Sequence, residues 1–274
     1  MKKGLGVLLT AILVAVFLFV LPVATNAVSP YIVYNGTCGD SIEWSFDTAT
    51  GVLTLSGSGA MYDYVQAASG RNPFYNHRKR ITSIVVGEGI TYIGNYGFYY
   101  LIKATSLQLP STVTVLGSNA FLNCRLVDGV VLPSAVTTIG EAAFKGCSAL
   151  SSIVIPSGVT NIGDFAFYNT ELSTVEIPAS VTQIGASAFY GTPLEALTLN
   201  EGLISIGASA FSQTLLTSVA IPASVTTLSY ESFRFSNLLT EYIVHENNLN
   251  YTSHNGILYS KDYSRLISCP AGIT

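Results

Sequence analysis

Charge is scarce in this 274-residue chain: 12 Lys and Arg stand against 16 Asp and Glu, and charged residues make up 10% of the total. Two of the basic residues, Lys2 and Lys3, belong to the extreme N-terminus, which leaves ten against sixteen. Phosphate polymers want clustered Lys and Arg, so a nucleic-acid partner is not expected. Histidine is rarer still, with three in all and none between residues 78 and 244, which deprives a serine nucleophile of its usual base over most of the chain. His245, His254 and Cys269 match none of the metal-ligand pairs spaced at about two to five residues. Asp47 to Gly51 lacks the alternating acids and closing Glu of a calcium loop and reads as a turn. Neither metal nor other cofactor is expected.

Long apolar runs are also few. The exception spans Gly4 to Val23, follows Lys2 and Lys3, and leads to Thr25-Asn26-Ala27, which predicts an export signal over residues 1–27. An uncleaved anchor is the competing reading, since about 20 apolar residues suffice to span a bilayer. The small residues at its end favour cleavage, and the chain is expected to be secreted or held at the cell surface, touching a membrane only if the segment stays uncleaved.

What the sequence has in abundance is period. Phenylalanines fall at 98, 121, 144, 167, 189, 211 and 233, glycines at 94, 117, 140, 163, 185 and 207, and prolines at 110, 133, 156, 178 and 222, with Asn200 replacing one. A repeat of 22 or 23 residues lies within the leucine-rich-repeat range. In the unit VTTIGEAAFKGCSALSSIVIPSGV, residues 152–155 predict a strand with Ile153 and Ile155 inward and Pro156 ending it. Gly140 permits a tight turn or a close backbone approach, and Ala143 lets the Phe144 ring enter the coil and stack on its neighbours. One coil cannot bury its own apolar face, so Phe98, Phe121, Phe144, Phe167, Phe189, Phe211 and Phe233 are expected to form one continuous core. The solenoid is placed at 81–245, with seven to eight coils. Residues 28–80 break the period and alternate as a β-rich cap, with strands at 42–46 and 52–55 around a turn; 246–274 read as an irregular terminal unit or cap with a second hairpin.

The recurring I-G-x-x-A-F-x-x-C/T-x-L-x-x-I-x-I-P, the segment GTCGDSIEWSFDTATGVLTLSGSGAMYDY before it and NNLNYTSHNGILYSKDYSRLISCPAGIT after it resemble the BspA-like family of bacterial leucine-rich-repeat surface proteins. The resemblance implies a repeat solenoid with a parallel β-sheet on its concave face, short helical or irregular convex segments and β-hairpin caps. It also implies adhesion, through attachment to host matrix or other cells, and no enzyme activity.

Within such a coil, the residue between the two inward strand positions faces outward, which defines a candidate binding strip: Val85, Gln108, Val131, Val154, Glu176, Thr198, Ala220 and Ile243. Small neighbours such as Ser83, Ser106 and Gly129 predict a flat, sparsely charged face suited to an extended segment of an extracellular protein. The alternative partner is a glycan, contacted by Tyr99, Tyr168 and Tyr190, which follow phenylalanines and are expected on the convex side. Gly185 to Phe189 and Gly207 to Phe211 approach a Gly-x-Ser-x-Gly elbow but end in phenylalanine within the repeat register, so they read as scaffold. Cys124 and Cys147 share a register one coil apart; a disulfide and a ladder of small buried groups both account for them. Arg71, His77, Arg78, Lys79 and Arg80 either attract an anionic partner or form a solvated loop face.

Overall fold

The computed structural model describes residues 32–126 and 129–273; the expected signal segment at 1–27 lies outside the described residues. Strand β1 (Val33–Gly39) pairs antiparallel with β2 (Ile42–Asp47), which turns through Gly51 into β3 (Val52–Gly57). At that turn the Gly51 N–H donates to the Asp47 carbonyl and the Ala49 N–H to the Asp47 carboxylate, so the local chemistry is that of a hairpin corner. Strand β3 then runs parallel to Ser83–Val86, with Leu53 opposite Ile84, and so meets the edge of the first coil with an already bonded sheet.

Phenylalanine decides the packing of the coils. The seven predicted rings lie one above another with centroids 5.1–5.5 Å apart, and Phe74 extends the column by one at 5.6 Å from Phe98. Phe74 was not legible as a member, because it lies 24 residues before Phe98 and outside the regular unit. Both ends are closed edge-on, by Trp44 against Phe74 at 5.7 Å and by Tyr242 against Phe233 at 5.7 Å. Edge-on rings complete the quadrupole match that parallel neighbours supply inside the column. Each buried ring contributes about 1.5–3 kcal/mol by area alone.

The glycine column serves close approach. A Cβ on Gly163 would lie 2.6 Å from the Glu141 nitrogen and 2.7 Å from the Gly140 carbonyl carbon, and Gly140, Gly185 and Gly207 meet the preceding coil equally closely. Beside it, two-residue strands such as Val115–Leu116, Thr138–Ile139 and Asn161–Ile162 form an eight-stranded parallel ladder that the sequence pattern did not announce. Opposite the expected sheet there is no α-helix among the described residues; the chain runs there in consecutive turns. Residues four apart take left-handed dihedrals, as at Asn119 and Asn123 or Phe165 and Asn169. Their N–H groups, with that of the phenylalanine between them, reach the next coil: Asn119 to Glu141, Phe121 to Ala143 and Asn123 to Lys145. The expected short helical or irregular convex segments take the irregular form, and among the described residues two three-residue 3₁₀ turns, Ala68–Gly70 and Tyr75–His77, lie in the cap.

The sheet carrying the candidate strip is interrupted. Ladders join Ser83–Val86 to Ser106–Gln108, Thr174–Ile177 to Ala196–Leu199, and Ser218–Ile221 to Glu241–Val244. The predicted strand at 152–155 is not a ladder strand, nor is the equivalent stretch in the preceding coil. That preceding coil keeps the same 23-residue spacing, and Gly129 there adopts a φ of 93° while Val130 and Leu132 stay inward and Val131 outward. At the C-terminal end Tyr251–His254, Ile257–Ser260 and Leu266–Ser268 form a three-stranded antiparallel sheet, of which the last two strands are the predicted hairpin.

Candidate functional site

Along the strip, the residue between two inward positions does face outward. Val131 and Val154 are 73% and 80% exposed and Ile243 is 51% exposed; Gln108, Glu176, Thr198 and Ala220 are exposed, and Val85 is half-buried. Register holds the column together where the ladder survives, with Val85 beside Gln108, Glu176 beside Thr198 and Ala220 beside Ile243. Thr54 of β3 lies beside Val85 and lengthens the strip by one place, which a reading confined to the period misses. Asn200, standing where other coils have proline, donates from Nδ2 to the Glu176 carboxylate at 3.0 Å and to the Ile177 carbonyl at 3.0 Å. Proline has no such donor, so this one exchange fixes the only acid of the strip.

The expected flatness is corrected. A depression of about 560 Å³ opens beside Val154, lined by Ile153, Ile155, Thr174, Glu176 and Thr198. A second, of about 380 Å³, lies beside Val131 and is lined by Leu107, Gln108, Gly129 and Pro133. Both lie beside the stretches at 129–132 and 153–155, which carry no ladder strand.

The three tyrosines do not form one exposed row. Tyr99 is buried, 6% exposed, and its hydroxyl accepts a hydrogen bond from Gln66 Nε2 at 2.9 Å, because the cap folds over the first coil. Tyr168 and Tyr190 are half-buried and stack on each other at 4.9 Å and 4°, which commits one face of each ring to its partner; Lys145 Nζ lies 4.8 Å from the Tyr168 centroid.

Cys124 and Cys147 are free, fully buried thiols, and each donates to the carbonyl of the phenylalanine one coil earlier, Phe98 and Phe121. Thr170, Thr192 and Thr214 hold the same register and donate to Phe167, Phe189 and Phe211. The column is therefore a ladder of small buried donors that satisfies carbonyls beneath the rings. Burial pushes the Cys124 thiol up to about 12. Ser187 and Ser209 have left-handed dihedrals as an elbow serine would, yet so do Tyr96, Asn119, Ala142 and Phe165 at the same position, so the geometry belongs to the repeat. Among the described residues no group of three or more His, Cys, Asp or Glu is placed to hold a metal ion.

Of the five predicted basic residues, His77 turns inward against Tyr34 at 4.1 Å and Phe46 at 5.2 Å. Burial, with Arg80 beside it, holds its imidazole below its ordinary value, so it leaves the cationic group. Arg71 and Arg78 both lie on the ring of Tyr75, at 4.3 and 4.2 Å from its centroid. Tyr75 escaped notice in the sequence; its place four residues after one arginine and three before another was the available signal.

Comparison with known proteins agrees with this architecture. No curated protein matches in sequence. A leucine-rich repeat protein from Bacteroides ovatus is similar in structure, with a TM-score of 0.56, 26% identity and coverage of 77% of this chain and 54% of its own. A leucine rich cell surface protein from Faecalibacterium prausnitzii gives a TM-score of 0.52 at 25% identity, covering 84% of this chain and 58% of its own. The chain thus spans little more than half the length of these solved structures. In the described residues no helix is long and apolar enough to cross a membrane. The model of the BspA type leucine rich repeat region matches in six copies over residues 69–193 and 160–261, and the chain belongs to that family.

Proposed function

We propose that this chain is a cell-surface module that binds an extended segment of an extracellular protein along the strip from Val85 to Ile243, in the manner of an adhesin. The observation that carries this reading is the pair of depressions at Val131 and Val154, each next to a valine more than two-thirds exposed. Exposed apolar side chains rimmed by polar ones are where a partner gains from leaving water. Glu176, held by Asn200, adds one oriented acceptor at the edge of the larger depression. The likeness to a cell surface protein of the same repeat type supports the location.

The test is binding of the purified protein to immobilised extracellular matrix proteins and to a glycan array, with Val131→Arg/Val154→Arg and Glu176→Lys as strip variants and Tyr168→Ala/Tyr190→Ala as the contrast. Protein binding weakened at least tenfold by the strip variants, which corresponds to about 1.4 kcal/mol, is the expected result. Protein binding that survives both strip variants refutes the proposal. Glycan binding lost only with the two tyrosines transfers the function to the opposite side.

A further inference from the structure

We infer that the cap carries a second site, built on Arg71, Arg78 and Tyr75, that takes a linear anionic polysaccharide. Four of the chain's cations, Arg71, Arg78, Lys79 and Arg80, fall within ten residues, and no acid occurs between Asp63 and Glu88. Those two acids are engaged elsewhere: Asp63 accepts from the Tyr92 hydroxyl and the Asn95 N–H, and Glu88 from Ser111. Among the described residues the ion pair found is Arg234 with Glu231, remote in sequence from this cluster. Among the described residues the four cations thus have no carboxylate partner.

Arg78 is half-buried, and its Nε is shut from solvent without a hydrogen-bond partner. Its Nη1 donates to the Tyr75 carbonyl at 3.1 Å, and Arg71 Nε donates to the Gln66 carbonyl at 3.1 Å. A partly desolvated cation without a counter-charge is costly, so what the cluster lacks is an anion. The π-face of Tyr75 compensates in part and holds both guanidinium planes in place. Tyr75 is itself stacked on the buried Tyr99 at 5.9 Å and 12°, so the platform is anchored in the first coil. Two arginines fixed on one ring lose little freedom on presenting their remaining N–H groups as forks to sulfate, phosphate or carboxylate.

Sugar is favoured over nucleic acid by the ring beside the patch. Next to Tyr99, Tyr100 is exposed, with its ring 5.3 Å from that of Tyr99, and a partly solvated ring offers a surface for a pyranose. No strip residue takes part, so this site and the protein-binding strip stand or fall separately.

The experiment is calorimetric titration of the purified full chain with a sulfated uronate oligosaccharide (heparin octasaccharide), a glycerol phosphate oligomer, neutral dextran and single-stranded DNA of matched charge. The sulfated and phosphate arms distinguish a matrix-type from a wall-type source of the same chemistry. Binding to at least one anionic glycan is expected, weakened at least tenfold in Arg71→Ala/Arg78→Ala and at least threefold in Arg78→Lys, which keeps the charge and loses the planar stack. Its logarithmic salt dependence should become shallower by about two counterions in the double variant. Lys103→Ala/Arg125→Ala, which removes the same charge elsewhere, should leave affinity unchanged. If the double variant loses its thermal transition, Arg71→Gln at the exposed partner decides the matter through a threefold loss. Affinity unchanged by the arginine substitutions, or dextran or DNA bound as tightly as the anionic glycans, overturns the site.

Discussion

Replacing Phe144 with alanine removes a ring with no exposed surface that lies 5.1 Å from Phe121 and 5.5 Å from Phe167. The coils above and below cannot close over the gap, because the glycine column and the donors of the turn segment already hold them in backbone contact. The transfer and cavity costs together come to about 3–5 kcal/mol. Phe233 provides the control: it is 4% exposed, has one parallel neighbour and meets Tyr242 edge-on, so Phe233→Ala should cost about 2–3 kcal/mol. Urea denaturation measures both. Trp44, the chain's one tryptophan, reports from the cap end of the aromatic column, and far-ultraviolet dichroism reports the whole stack. Phe144→Ala should lower the midpoint by more than about 1 M urea. Coincident fluorescence and dichroism transitions in the unmodified protein would show that cap and coils melt as one unit. A midpoint shift below about 0.3 M for Phe144→Ala, or a larger loss at Phe233 than at Phe144, would refute the account of the column as the principal source of stability.

Four further outcomes are expected. Gly163→Ala should cost about 1–3 kcal/mol in a thermal melt, since its Cβ would meet the backbone of the preceding coil at 2.6 Å. Ala142→Gly should raise stability by several tenths to about 1 kcal/mol, because Ala142 holds a φ of 51°, a left-handed conformation that a Cβ disfavours; an unchanged or lower midpoint would count against this. A thiol reagent at pH 8 should modify exposed Cys269 in the native chain and reach Cys38, Cys124 and Cys147 only after denaturation. With Cys38 and Cys124 raised to about 12, the folded state favours the protonated thiol, so their contribution to stability is complete below about 9 and declines as the pH climbs from there to 12; a melting temperature that rises over that range would contradict the sign.

The period made the inward-facing residues legible because stacking demands the same side chain at the same place in every coil. Phe144, Ala143 and Gly140 could be assigned from spacing and size alone, and Val154 could be placed on the outside from its two inward neighbours. Period says less about how the backbone between these points runs. The first left-handed position of the turn segment holds Tyr96, Asn119, Ala142, Phe165, Ser187 and Ser209, a set without glycine, so composition did not mark it, whereas the second includes Asn123, Gly146, Asn169 and Gly191, residue types that favour that conformation. The missing ladder at 152–155 left no mark in the sequence, since the period there is 23 residues as in the neighbouring coils and inward and outward places still alternate. Tyr99 was misplaced for a different reason: the repeat predicts its direction within a coil, whereas its burial is decided by the cap, through Gln66 and Tyr75.

The hydrogen bonds between coils point in two senses. At the glycine column the N–H groups reach backward, Gly140 to Leu116 and Gly163 to Ile139, while in the turn segment they reach forward, Phe121 to Ala143 and Phe144 to Ala166. Peptide dipoles on one side of the stack therefore oppose those on the other, unlike the aligned peptides of an α-helix that sum to about half a charge at each end. Adding or removing whole coils then lengthens or shortens the molecule without building up a voltage along it. The field around such a rod is written by its side chains alone, and in a chain so poor in charge a few arginines on one ring are enough to write it.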